Sequence, residues 1–321
     1  MAKLFLRKLL GAFITLFGAT LILFVLIRLA PGDPVKLLLG YSTEVAMSNT
    51  EAYEQRVTEL RMQLGLDQPM AGQYASWVMR LLQGDLGTSI QSGRAVGTEM
   101  AERLPATAIL SVSALTIQVV LGLFFGTVSA LKAGKVQDNV IRLACVGLAS
   151  TPAFVLGLVL LSLFAVTMPL YEISSEASLA RLWLPAVTLG LIGAPQLIRI
   201  IRANLLSELG QTYVLSASSR GLDRQRVVRH ALRNALLPVV TMAGLALTGL
   251  ISGAVVIESI FSWPGIGKYA LDSILLKDYP VIQGYALVMV SLVILIHLLV
   301  DVMYVWIDPR IHRRGEADAH E

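Results

Sequence analysis

The sequence predicts an all-α, polytopic membrane protein with six transmembrane helices, on three observations. Of its 321 residues, 55% are hydrophobic and only 15% charged, at a mean hydropathy of +0.69; soluble domains carry about 25% charged residues. As a soluble globule such a chain would expose too much hydrocarbon, so lipid is part of its solvent. Its apolar runs are also long enough to cross about 30 Å of hydrocarbon, which takes about 20 residues. Finally, lysine and arginine crowd alternate connections between those runs, and that asymmetry sets membrane orientation.

The first span is expected over Leu9–Ala30, preceded by Lys3, Arg7 and Lys8. It is too long for the apolar core of a signal peptide and no A-x-A site follows it, so it reads as an uncleaved signal anchor. Residues 31–105 then form an extracytoplasmic segment, with helical patterns at Tyr53–Leu64 and Pro69–Gln83. Further spans are expected at Ala106–Leu131, Ile141–Met168, Leu184–Leu206, Leu236–Phe261 and Val281–Ile307. Arg199 and Arg202 weaken the fourth, unless their long side chains snorkel to an interface. All of it makes one transmembrane domain over residues 1–321.

Charge orients it. Lys132, Lys135 and Arg142 flank the second connection, Arg220, Arg224, Arg226, Arg229 and Arg233 crowd the fourth, and Arg310, Arg313 and Arg314 follow the last span. The opposite connections hold only Arg181, or Lys268 and Lys277. Both termini are therefore expected in the cytoplasm.

Chemistry is sparse. Cys145 is the single cysteine, which rules out an intrachain disulfide and a cysteine metal site. The histidines, His230, His297, His312 and His320, are dispersed, and a metal site needs three or four donors. No Walker-type phosphate loop is present, no basic stripe with interleaved aromatics suggests nucleic acid, and no catalytic constellation appears. Arg28, Glu258 and Asp301 lie near span ends, where pairing or snorkelling is the ordinary outcome and proton relay the special one.

The informative segment is the cytoplasmic loop at 207–235. Gly221 interrupts a helical pattern, Asp223 is placed to cap a second short helix, and Pro238 falls where the next span begins. The result is two short helices at an angle, with an apolar face at Val227, Val228, Ala231 and Leu232. Such an amphipathic hairpin fits a partner's groove. Past the fifth span, Pro264, Gly265 and Gly267 break the helix, and Lys268–Leu276 restarts it. Trp263 there is either an interfacial anchor or part of a segment dipping beside a cavity.

The 211–238 segment resembles the coupling loop of binding-protein-dependent ABC importer permeases, in the dipeptide, oligopeptide and nickel branch. The resemblance covers nearly the whole chain. It extends to Leu29-Ala-Pro-Gly-Asp-Pro34, Leu64-Gly-Leu-Asp-Gln-Pro69, Gly84-Asp-Leu-Gly-Thr-Ser89, Glu258-Ser-Ile-Phe-Ser-Trp-Pro-Gly-Ile-Gly267, Asp278-Tyr-Pro-Val-Ile-Gln283 and Asp308-Pro-Arg310. One departure stands out: Leu215-Ser216-Ala217 replaces the family's Glu-Ala-Ala ahead of the glycine.

The resemblance implies a type I importer fold in a bacterial inner membrane. It assigns Ser216, Ala217, Gly221, Leu222, Asp223, Val227, Val228, Arg229, Ala231 and Leu232 to ATPase coupling, and Trp263, Pro264, Gly265 and Gly267 to the pore mouth on the receptor side. It implies a homologous second permease, two ATP-binding subunits that hold ATP and magnesium, and a soluble substrate-binding protein. This chain would itself bind no cofactor. The cargo would be a di- or oligopeptide, or nickel or a metal complex. The Val128-Ser-Ala-Leu-Lys-Ala-Gly-Lys135 turn and the Ser-Trp-Pro-Gly stretch lean toward the nickel permeases. Two other classes stay open, an ion-gradient-driven secondary transporter and a membrane subunit without transport.

Overall fold

The apolar runs that the sequence marks as spans are helices in the computed structural model, which describes residues 2–29, 54–55, 57–59, 62 and 67–307. In chain order the helices are α1 (Ala2–Leu29), α2 (Met70–Leu82), α3 (Val96–Leu131), α4 (Val136–Ser150), α5 (Ala153–Leu161, continued by a π-helical turn at Ser162–Thr167) and α6 (Leu179–Leu209). Then come α7 (Thr212–Ser219), α8 (Arg224–Ala235), α9 (Leu237–Ile260), α10 (Ile266–Leu275) and α11 (Tyr279–Ile307). Among the described residues β pairing is confined to an isolated bridge between Thr88 and Ala95. Most of the Leu29–Pro34 motif, Leu64–Leu66, Asp308–Arg310, the C-terminal arginines and much of the pattern at Tyr53–Leu64 lie outside the described residues.

Among the described residues five helices, α1, α3, α6, α9 and α11, are long and apolar enough to cross a membrane, and α4 with α5 makes a sixth crossing if the pair counts as one span. That pair corrects the single helix expected at Ile141–Met168, because it bends by 98°. Pro152 has no N–H to give and pushes its predecessor out of the α region. Thr151 accordingly sits at φ −91°, ψ 123°, and ends α4. Elsewhere proline is accommodated: Pro105 lies inside α3, and Pro185 and Pro195 inside α6.

The chain divides into two units, Met1–Arg103 with Tyr269–Leu292, and Leu104–Lys268 with Val293–Glu321. In the first, Phe24 of α1, Trp77 of α2 and Leu287 of α11 form one buried cluster, while Val96, Met100 and Val281 form another. In the second, α6 is central and packs against α4, α5, α8 and α9. Its contact with α3 is close, since a Cβ at Gly122 or Gly126 would lie 2.9 Å from Leu197 or Ile201. Small residues let helices approach this way in lipid, where packing rather than water drives association.

Candidate functional site

The hairpin after α6 is built as its residues dictate. Gly221 adopts φ +76°, a left-handed conformation that costs other L-residues about 1–2 kcal/mol. The turn closes with the Leu222 N–H donating to the Ala217 carbonyl at 3.3 Å. Asp223 caps α8, its carboxylate accepting from the Gln225 N–H at 3.2 Å. Pro238 falls in the first turn of α9.

The structure corrects the expected free apolar face. Val227 and Ala231 are buried, together with Ala235 and Val214, against Ala130 of α3 and Leu205 of α6; Ala217 and Leu232 pack at the edge of that cluster. Spacing of four residues along α8 makes these side chains one stripe, and this chain's own helices cover it. Val228 is half-buried, and Ser216, Gly221, Leu222, Asp223 and Arg229 are exposed. The apolar surface left open is Tyr213, Leu215 and Leu222. A cavity of about 190 Å³ lies between the two short helices, lined by Tyr213, Val214, Ala217, Leu222, Val227 and His230.

A polar brace steadies this corner. The Tyr213 hydroxyl donates to Glu208 Oε2 at 2.6 Å and accepts from Asn234 Nδ2 at 3.2 Å. Burial, and then the Glu208 carboxylate, push the Tyr213 phenol pKa up. Asn204 Nδ2 donates to the Ala235 carbonyl at 3.4 Å.

One turn from Leu205 lies an ion pair that sequence reasoning missed. Arg202, rather than snorkelling, donates through Nε and Nη2 to both oxygens of Asp138, each at 2.8 Å. Asp138 is fully buried and also accepts from Ser129 Oγ at 2.5 Å and the Gly134 N–H at 3.0 Å. Every strong acceptor position is used, which a buried carboxylate requires. The pair thereby joins α3, the turn at 132–135, α4 and α6 beside the hairpin's buried face.

The Trp263–Gly267 segment is a packed clamp. Trp263 is 1% exposed, and its indole N–H donates to the Ala106 carbonyl at 2.9 Å. Glu258, also fully buried, is the hub: Oε1 accepts from Thr107 Oγ1 at 2.6 Å and Oε2 from the Lys268 N–H at 2.9 Å. Thr107 Oγ1 in turn accepts from the Ile266 N–H at 2.9 Å. A Cβ at Gly265 would lie 2.1 Å from Glu258 Oε1, so only glycine lets the backbone this close to the carboxylate. Gly265 and Gly267 are buried and Pro264 is half-buried. Buried Arg181 closes the far side, donating to the carbonyls of Glu172, Glu176 and Phe261, the last at the C-terminal end of α9. Among the described residues no group of three or more His, Cys, Asp or Glu side chains could hold a metal ion.

Comparison with known proteins accords with this architecture. The family described as "Binding-protein-dependent transport system inner membrane component" matches residues 118–313, and its N-terminal companion matches residues 1–111. The di/tripeptide transport system permease protein DppB of Pseudomonas aeruginosa is 38% identical, over 97% of this chain and 99% of that protein. The glutathione transport system permease protein GsiC of Escherichia coli O6:H1 is 36% identical, over 95% and 97%. The dipeptide transport system permease protein DppB of Escherichia coli K12 is 35% identical, over 98% and 100%. Among solved structures, an inward-facing MetNI methionine ABC transporter superposes with a TM-score of 0.54 at 19% identity, covering 65% of this chain and 96% of that one. An amino acid ABC transporter gives 0.53 at 16%, covering 64% and 93%, which likewise speaks to the fold alone. With its own spans, its glycine-cornered hairpin and these full-length relatives, the chain belongs to the family of binding-protein-dependent transport system inner membrane components, the multi-pass, non-catalytic permease subunits of ABC importers whose ATPase is a separate subunit.

Proposed function

We propose that this chain carries di- and tripeptides across a bacterial inner membrane, as one of two homologous permeases served by two ATP-binding subunits and a soluble binding protein. The observation that carries the peptide reading is the full-length likeness, at 35–38% identity, to permeases named for di/tripeptide, dipeptide and glutathione transport. Glutathione is itself a small peptide, so the three names share one cargo chemistry. They favour peptides over the nickel or metal-complex reading. ATP and magnesium belong to the partner subunits.

In this reading the hairpin is the lever. Tyr213, Leu215 and Leu222 present the outer surface to an ATPase, with Ser216, Gly221, Asp223 and Arg229 around them. Val227, Ala231 and Leu232 pass the displacement inward to Leu205 and Ala130. Their contacts within this chain support that role, because close-packed interiors transmit strain instead of absorbing it. The Trp263–Gly267 clamp would hold the pore mouth on the receptor side. Both termini would be cytoplasmic, with residues 31–105 opening outward.

Uptake by the complex reconstituted with its companion subunits tests the cargo. ATP-dependent accumulation of labelled dipeptide is the expected outcome; accumulation of a nickel complex without peptide would overturn it. For orientation, a cysteine at exposed Ser92, in a Cys145→Ala background, should react with an impermeant reagent in spheroplasts. Protection there, with labelling in inverted vesicles, would reverse the topology.

A further inference from the structure

Helix α2 falls in the segment that the charge pattern places outside the membrane, yet its packing partners are membrane-spanning. Tyr74 Oη lies 2.9 Å from Thr20 Oγ1 of α1, and the Tyr74 ring meets Phe17 and Phe24 edge-on at 6.3 and 5.3 Å. Trp77 joins the same cluster, 5.9 Å from Phe24 and packed with Leu287 of α11. These partners act as depth markers. At about 1.5 Å per residue, Phe24 and Thr20 lie about 8 and 14 Å in from Leu29, the last described residue of α1. Leu287 independently lies about 12 Å in from Tyr279, where α11 begins. Just before that start, Asp278 accepts from Ser89 Oγ at 2.6 Å and from the Gln91 N–H at 3.2 Å. A buried polar knot thus precedes α11, with the α2 cluster well along the apolar helix beyond it.

The circumference of α2 fits that depth. Tyr74, Trp77, Val78 and Leu81 pack inward. At about 100° per residue the next arc carries Ala71, Ala75, Met79 and Leu82, all exposed, with Met79 at 58% and Leu82 at 79%. The remaining arc carries exposed Ser76 and Arg80 and half-buried Gln73, and exposed Gln83 follows as the C-cap. A helix satisfies its own backbone and so is tolerated in hydrocarbon. One with an apolar face and a segregated polar face lies about 5–10 Å into the boundary between headgroups and acyl chains.

We propose that α2 is embedded in one leaflet of the bilayer beside α1, with Ala71, Ala75, Met79 and Leu82 against acyl chains and Ser76, Arg80 and Gln83 toward headgroups and water. The exposed apolar side chains of α1 at the same depth, Leu21 and Val25, continue the lipid surface. The long Arg80 side chain carries its charge back to the interface.

Spin labels decide it, in the complete transporter reconstituted in liposomes. Cys145→Ala removes the single native thiol, and Ala75→Cys, Met79→Cys, Ser76→Cys and Gln83→Cys each replace an exposed side chain. Val25→Cys serves as the lipid-facing reference. Labels at 75 and 79 should collide more with oxygen than with a water-soluble nickel chelate, as at 25, and the ratio should invert at 76 and 83. Greater collision with the chelate at 75 and 79 would place α2 in water. Exclusion of both probes there would mean that another subunit covers the face. Either result overturns the proposal, whatever the cargo or the role of the hairpin.

Discussion

Removing the arginine from the Asp138–Arg202 pair tests how firmly α3, α4 and α6 are joined beside the hairpin. In Arg202→Ala the buried Asp138 carboxylate keeps Ser129 and Gly134 but loses both charged donors. Breaking a buried pair from one side costs about 3–5 kcal/mol. Arg202 is 24% exposed, so solvent screening favours the lower end, about 3 kcal/mol. At about 1.4 kcal/mol per factor of ten, that is an increase of roughly 150-fold in the open population. A reporter is already in place. Cys145 of α4 is 4% exposed and packs with Ala194 and Ile198 of α6, Leu121 of α3 and Ile141, so it lies among the three helices that the pair joins. A thiol reagent reaches it only when they separate. Labelling of Arg202→Ala should therefore accelerate about 100-fold or more over wild type, following the open population. The double variant Asp138→Leu with Arg202→Met carries no stranded charge and should return toward the wild-type rate. Wild-type labelling in Arg202→Ala, or a double variant as fast as the single one, would refute the pair's role as the tie between these helices.

The other expectations are briefer. Gly221→Val should cost about 1–2 kcal/mol through its left-handed backbone, since a Cβ there would meet no atom within 4 Å beyond the adjoining residues. Recovery of the ATPase with the complex should fall at unchanged membrane abundance, and equal recovery would remove the corner from coupling. Gly265→Ala would drive a Cβ into Glu258 and should lower the melting temperature of the purified protein, as should Trp263→Phe, which loses the indole hydrogen bond and leaves a cavity in a fully buried site; an unchanged melting temperature in Gly265→Ala would deny the clamp its hub. Burial first, and then the nearby Glu99 carboxylate, push the Tyr269 pKa up to about 12. Its neutral form is thus favoured in the fold, and the stability it contributes is complete below the unfolded value of about 10 and lost as pH rises toward 12. Tyr269→Phe should flatten that alkaline loss in melting curves taken from pH 9 to 12, and an unchanged slope would assign it to other groups.

Hydropathy by itself determined the spans, since crossing hydrocarbon demands about 20 apolar residues whatever packs beside them. The hairpin corner was legible for an equally local reason: Gly221 and Asp223 act on backbone within a few residues, through a left-handed φ and an N-cap. Sequence also named the family, because its motifs are short and keep their order along the chain. It did not reveal the bend at Thr151–Pro152, since proline also occurs within helices such as α3 and α6 when neighbours re-satisfy the backbone. Nor did it reveal which face of α8 is free. Periodicity marks Val227 and Ala231 as one stripe but cannot say whether Leu205 and Ala130 of the same chain or another protein will cover it. Arg202 with Asp138, Glu258 with Thr107, and Trp263 with Ala106 are partnerships across 64, 151 and 157 residues. In each, a costly buried polar group is made tolerable by a partner that only the packing of helices brings within reach. Hydropathy decided that this chain enters the membrane; tertiary structure decided which of its charges are buried and what holds them.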